Sequence, residues 1–166
     1  MSKIHRLAGA SLATALACGL ATSANAQLLQ HKDLSSAIAT TIALTAVDAC
    51  KQAGYNVSVH VVGRNGEVLV GLRHHAAGVN TFENSWKKAY TSRTFRIASG
   101  KFAENVGQNP VAGQLFLANI TAARGALPIK IGEETIGAVG VSGAPGGDKD
   151  EVCAKAGIDK VAGDLK

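Results

Sequence analysis

Leu34, Ile38, Ile42, Thr45 and Ala49 recur at helical spacing between Asp33, a good N-cap, and Gly54, a residue suited to a left-handed stop. The spacing predicts a helix of about twenty residues. The period then changes from that of a helix to that of a strand. Val57-Ser-Val-His-Val-Val62 and Glu67-Val-Leu-Val-Gly-Leu72, separated by Gly63-Arg-Asn-Gly66, predict a hairpin turning at Asn65-Gly66. Alternation places Val57, Val59 and Val61 on one face of its first strand, and Ser58, His60 and Val62 on the other.

His74-His75-Ala-Ala-Gly78 reads as a loop in which adjacent histidines of extended chain point in opposite directions. Asn80 and Glu83 have the spacing of a capping box for a second helix. Phe82, Trp86, Ala89, Tyr90, Thr94 and Ile97 share its apolar side, and Lys87, Lys88, Arg93 and Arg96 its other side. A short helix from Ser99 through Phe102 and Val106 ends at the break Gly107 to Pro110. Leu115-Phe116-Leu117 and Leu127-Pro-Ile-Lys-Ile131 read as short strands, and Gly132-Glu-Glu-Thr135 turns into Ile136-Gly-Ala-Val-Gly-Val141, a second hairpin. A last helical pattern follows Gly147 and runs through Val161, with Asp148 and Glu151 at capping-box spacing. Helix, hairpin, helices, strands and helix are not a regular βαβ alternation, so the expected class is α+β with an antiparallel sheet covered by helices. With helices on one side, the other face of such a sheet needs cover, and a homo-oligomer partner is the expected source.

The chain has 166 residues, of which 46% are hydrophobic and 4% aromatic, enough for one domain of ordinary size. Charged residues make up only 17%, with 17 Lys plus Arg against 12 Asp plus Glu and no long basic run, so nucleic acid is not an expected partner. Lys3 and Arg6 precede an apolar stretch, Leu7 to Ala21, that ends in Ala24-Asn25-Ala26. Residues 1–26 therefore read as a signal peptide, too short in their apolar part for a transmembrane anchor, with 27–166 the mature single domain. A periplasmic or secreted location is expected. Removal of Lys3 and Arg6 lowers the formal net charge of +5 by two, to a mild +3. Leu16-Ala17-Cys18-Gly19 has the form of a lipobox, but Ala15 stands where such a box usually carries Leu. After cleavage two cysteines remain, Cys50 and Cys153, in an oxidising compartment. They either form a disulfide or stay as two buried thiols. Neither lies in a C-x-x-C pattern, so the pair is structural in both cases.

The chain has no G-x-S-x-G elbow, no H-E-x-x-H helix and no G-x-x-x-x-G-K-[ST] loop, which argues against a hydrolase or NTPase. The run Ser142 to Asp148, with Gly143, Gly146 and Gly147, brings backbone N–H groups to a helix N-terminus, where either an anion or Asp148 itself can satisfy them. His31, His60, His74 and His75 are the histidines of the mature chain, which has no methionine once Met1 leaves with the signal, so a haem iron would find His, Tyr, Lys or a hydroxyl here but no thioether.

Glu83-Asn-Ser-Trp-Lys-Lys-Ala-Tyr-Thr91, Gln114-Leu-Phe-Leu117, the stretch Ile136 to Glu151 and Ala156-Gly157 resemble the GlcG/HbpS family over about residues 33–162. The resemblance implies a five-stranded antiparallel sheet flanked by helices in a profilin-like layer arrangement, and assembly into oligomers. In the secreted members it implies haem binding, with a role as carrier or as sensor of haem or iron stress alongside an extracytoplasmic sensor partner. Other members are cytosolic and encoded near glycolate or diol metabolism, so a small-carboxylate-binding or structural module is the alternative, and weak haem-dependent peroxidase or haem-degrading activity another. By motif, Thr91 corresponds to the threonine that contacts iron in the secreted members. Tyr90 lies beside it, Lys87, Lys88, Arg93 or Arg96 would lie near the propionates, and His74 and His75 are further candidates. The family fold also implies that Cys50 and Cys153 lie on the same side of the sheet.

Overall fold

The computed structural model describes residues 28–109 and 113–166. The signal-like segment, Cys18 and the lipobox-like run lie outside the described residues. Residues 31–166 form one compact unit; of the preceding unit only 28–30 are described, and they carry no helix or strand.

In chain order the elements are α1 (Ser36–Gln52), β1 (Ser58–Val62), β2 (Val68–Arg73), α2 (Thr81–Phe95), α3 (Ser99–Gly107), a 3₁₀ turn (Gly113–Phe116), β3 (Ala126–Ile131), β4 (Glu134–Ser142) and α4 (Gly147–Lys160). The strands form an antiparallel sheet in the order β2-β1-β4-β3. The expected five-stranded sheet is thus four-stranded among the described residues. Leu115-Phe116-Leu117, read above as a strand, has no alternation to bury: 115 and 116 fall in the 3₁₀ turn, and Phe116 and Leu117 face solvent.

Period two on β1 decides the layers. Val57, Val59 and Val61 join Ile42, Ala43, Ala46 and Cys50 of α1 and Cys153 and Ala154 of α4 in the main core. On the opposite face Val62 and Ala138 pack with Ala89 of α2. Both sheet faces are therefore covered by the chain itself, and all five residues of β1 are buried. The expectation of helices on one side alone is corrected, and with it the premise that a partner must cover the sheet.

Small residues allow this close layering. A Cβ on Gly140 would collide with the backbone of Ser85 and Ala89, so β4 meets α2 with no side chain between them. A Cβ on Gly157 would lie 2.6 Å from the Ile42 carbonyl oxygen where α4 crosses α1. Across that same layer Cys50 and Cys153 are joined in a disulfide, Cα atoms 5.5 Å apart, linking the end of α1 to α4.

The caps differ from those read in the sequence. Ser35, not Asp33, caps α1 by accepting from the Ile38 N–H, because Asp33 is drawn to Arg64 in a 2.7 Å ion pair. Asn80 takes helical backbone angles and makes no side-chain cap; Glu83 pairs with Lys87 instead. Gly146 stands at the N-cap of α4, so the Asp148 and Glu151 capping box does not form either.

Candidate functional site

Helix α2 presents an unusual buried face. Thr81, Ser85, Lys88, Thr91 and Ser92 point into the protein with Ala89, whereas Thr94 faces solvent and Tyr90 lies half-buried to one side. Of the side predicted to be apolar, Ala89 and Trp86 do pack on Val62 and Ala138, but the rest of the sheet surface beneath α2 is built of Ser58, His60, Gly140 and Ser142, so polar groups on α2 find partners there that an apolar stripe would leave unbonded. Ser58 and Thr81 hydroxyls meet at 2.8 Å, and Asn84 Nδ2 donates to Ser142 Oγ at 3.0 Å. His60 Nδ1 lies 2.8 Å from Ser85 Oγ, whose own proton goes to the Phe82 carbonyl at 2.9 Å. Nδ1 is thereby the donor, and Nε2 of the neutral ring carries the lone pair. Burial holds the His60 imidazole down to a pKa of about 4.

Lys88 lies in the interior, not on a solvent face. Its ammonium donates to Asp150 Oδ2 at 2.8 Å and to the Val141 carbonyl at 3.0 Å. Asp150 Oδ1 accepts from the Ala144 N–H at 3.0 Å. Burial pushes the Asp150 carboxyl up from its ordinary value, and the Lys88 hydrogen bond and charge oppose that rise. A haem propionate at Lys88 would have to break this pair. In the glycine-rich run the acceptor is therefore the chain's own carboxylate, from Asp150 and not from Asp148. Gly143 and Gly147 are packing positions, since Cβ atoms there would lie 2.5 Å from the Asn56 and Arg124 carbonyl oxygens. Gly146, at φ +125°, makes the turn into α4.

Lys87, Thr91 and Phe95 follow each other at four-residue spacing on the flank of α2 that faces residues 113–121. Thr91 is fully buried. Its Oγ1 donates to the Lys87 carbonyl at 2.8 Å and accepts from the Thr121 N–H at 3.0 Å. Two grooves adjoin this flank. One of about 310 Å³ is lined by Phe95, Ile97, Phe102, Val106 and the amides Asn105, Asn109 and Gln114, with the rings of Phe95 and Phe102 stacked 4.4 Å apart. The other, about 320 Å³, is polar and lined by Asn80, Glu83, Asn84, Lys87 and Thr121.

The other expected site residues lie elsewhere. Tyr90 packs over the β1-β2 turn, where a Cβ on Gly66 would touch its ring. Arg93 and Arg96 line a separate pocket with Arg64, whose guanidinium is held by Asp33 and Glu134. The rings of His74 and His75 lie 4.2 Å apart instead of pointing in opposite directions, because the chain turns at once with Ala77 N–H bonded to the His74 carbonyl. His74 Nδ1 accepts from the Ala76 N–H, and slight desolvation with the nearby His75 and Lys51 charges lowers its pKa. No group of three or more His, Cys, Asp or Glu side chains able to hold a metal ion occurs among the described residues. Thr121, which completes the bonding of Thr91, lies in no motif; Asp150, which completes that of Lys88, lies within the stretch Ile136 to Glu151, where nothing local marks it as the partner of Lys88.

The family model described as haem degrading protein HbpS-like matches residues 34–159, from the start of the first core layer to the end of α4. The chain belongs to the HbpS-like family. The crystal structure of HbpS is similar at 33% identity and a TM-score of 0.77, covering 81% of this chain and 94% of that one. A double Glu→Asp variant of Streptomyces reticuli HbpS is similar at 30% identity and a TM-score of 0.78, over 93% of this chain and 99% of that one. A PduOC:heme complex shares the fold at 22% identity and a TM-score of 0.69, covering 76% and 93% of the two chains. No curated protein sequence matches significantly. No helix among the described residues is long and apolar enough to cross a membrane.

Proposed function

We propose that this HbpS-like protein is exported and binds haem, as a carrier or as a sensor of haem or iron stress. Its membership of the HbpS-like family carries the reading. A haem complex among the proteins of the same fold and the signal-like residues 1–26 support it. The residues on the outer flank of α2 suit the group: an apolar groove with a stacked phenylalanine pair for the macrocycle, Lys87, drawn from its pair with Glu83, for a propionate, and on the same flank the Thr91 hydroxyl, buried under its bonds to Lys87 and Thr121. Bound haem would supply the iron chemistry. The chain's own contribution would be apolar enclosure, one cation, and a neutral hydroxyl that is a weak iron ligand, a combination suited to holding ferric haem more than to turning it over.

Titration of the mature protein with hemin should shift the Soret band away from that of free hemin; no shift at about tens of micromolar protein, the affinity range of weak specific sites, rejects the reading. Thr91→Val should keep the fold and alter the ferric spectrum. Lys87→Gln should weaken binding in a salt-dependent way. Loss of binding in His74→Ala or His75→Ala with an unchanged Thr91→Val spectrum would move the ligand to the loop. The family description favours a second reading, haem degradation. It predicts Soret loss with release of iron on adding a reductant or peroxide, faster than in protein-free hemin. The small-carboxylate module has less support, because Asp150 already fills the glycine-rich turn.

A further inference from the structure

The flank of α2 that suits haem is divided by a strap. Residues 113–121 run from Gln114, on the apolar groove, to Thr121, on the polar groove, and the segment meets α2 at Thr91, between Phe95 and Lys87 in the helix. No residue from 113 to 124 is buried, and Phe116 and Leu117 are 81% and 53% exposed. The strap's own backbone hydrogen bonds are long, 3.4 Å from Leu117 N–H to Gln114 and 3.4 Å from Ile120 N–H to Leu117. Asn119 stands in the left-handed region at φ +67° without being glycine. The Thr121 N–H on Thr91 Oγ1 ties the strap to α2 at 3.0 Å. A segment whose side chains are at most half-buried, with long internal hydrogen bonds and one latch to α2 among the described residues, belongs to the low-stability end of a structure.

We propose that the strap is displaced from α2, breaking the Thr121–Thr91 bond, to join the two grooves into one site for a planar amphiphilic anion. Resting on the function proposed above, that ligand is haem. The joined site would offer it Phe95, Phe102 and Val106 on the apolar part, Lys87 on the anionic edge and a Thr91 hydroxyl released from its latch. Phe116 and Leu117, which cover nothing in the closed form, would then have an apolar ligand to pack on.

The test separates the strap from the haem reading. Hydrogen exchange of the haem-free protein should show amides 113–121 exchanging well before those of β1 and β4. Thr121→Pro, which lacks the latching N–H, should speed that exchange and raise the rate of hemin uptake in stopped flow by about 2- to 12-fold, the weight of one net hydrogen bond. In a second variant, Asn105→Cys with Gln114→Cys, a bismaleimide tether across the apolar groove should slow uptake relative to the same variant untethered. Normal hemin binding with strap amides as protected as the sheet, or with uptake unchanged by the tether, overturns the strap and leaves the haem reading standing. Fast strap exchange with no hemin binding in any form removes haem as the ligand and the proposal with it.

Discussion

His60 sets a pH dependence of stability. Its folded pKa of about 4 lies below the ordinary 6.5, so on acidification the unfolded chain takes up the proton first. Stability is then undiminished above about pH 6.5 and falls as pH drops toward 4. Urea midpoints measured at pH 7 and pH 5 should differ in the wild type, and His60→Gln should reduce that difference. Lys88 is the more severe position. Lys88→Met leaves Asp150 buried without its partner and should cost about 3–5 kcal/mol by denaturant unfolding, and adding Asp150→Asn should recover part of the loss. Spacing alone put Lys88 among solvent-facing cations; the acceptors that draw it inward, Val141 and Asp150, are distant in sequence and gave no sign beforehand.

Between elements, glycine and cystine set the distances. Gly140→Ala would drive a methyl group into the α2 backbone, and should cost at least about 1–3 kcal/mol, the range for overpacking a tight core. Equal stability of this variant would show that α2 can lift from β4. The Cys50–Cys153 bridge closes a long loop, with a sequence separation of 103. Its reduction should lower stability by about 4–5 kcal/mol on the chain-entropy account. Thiol titration of native protein should find both cysteines unreactive, and the melting temperature should fall on adding reductant. Helix caps were the least legible feature of the elements. Asp33 and Glu83 have good capping chemistry, but each is engaged by a cation, Arg64 for one and Lys87 for the other.

For the whole molecule, covered sheet faces remove the original reason to expect a partner, and what stays open are the edges, β2 and β3. On β2, Val68 is half exposed on an unpaired strand edge, and unpaired edges are where further strands add. We propose that the homo-oligomer expected from the family assembles through such an edge. Light scattering of the mature protein should give at least twice the mass of one mature chain, and Val68→Lys should reduce it; a monomer at all concentrations overturns the assembly.

Periodicity determined much of this protein without tertiary information. The valines at 57, 59 and 61, the two hairpins, the helix order and the family motifs from Glu83 to Thr91 and from Ile136 to Glu151 are all local patterns, and local backbone preference with one buried face suffices to specify them. Tertiary structure alone decided the four-stranded sheet with both faces covered, the joining of Cys50 to Cys153, the close approach of the His74 and His75 rings, and the burial of Lys88 and Thr91. Each of these depends on which polar or apolar group a distant segment supplies. Thr91 shows the reason most directly: its position on α2 follows from helical spacing, but whether its hydroxyl is open or latched depends on a backbone N–H thirty residues away.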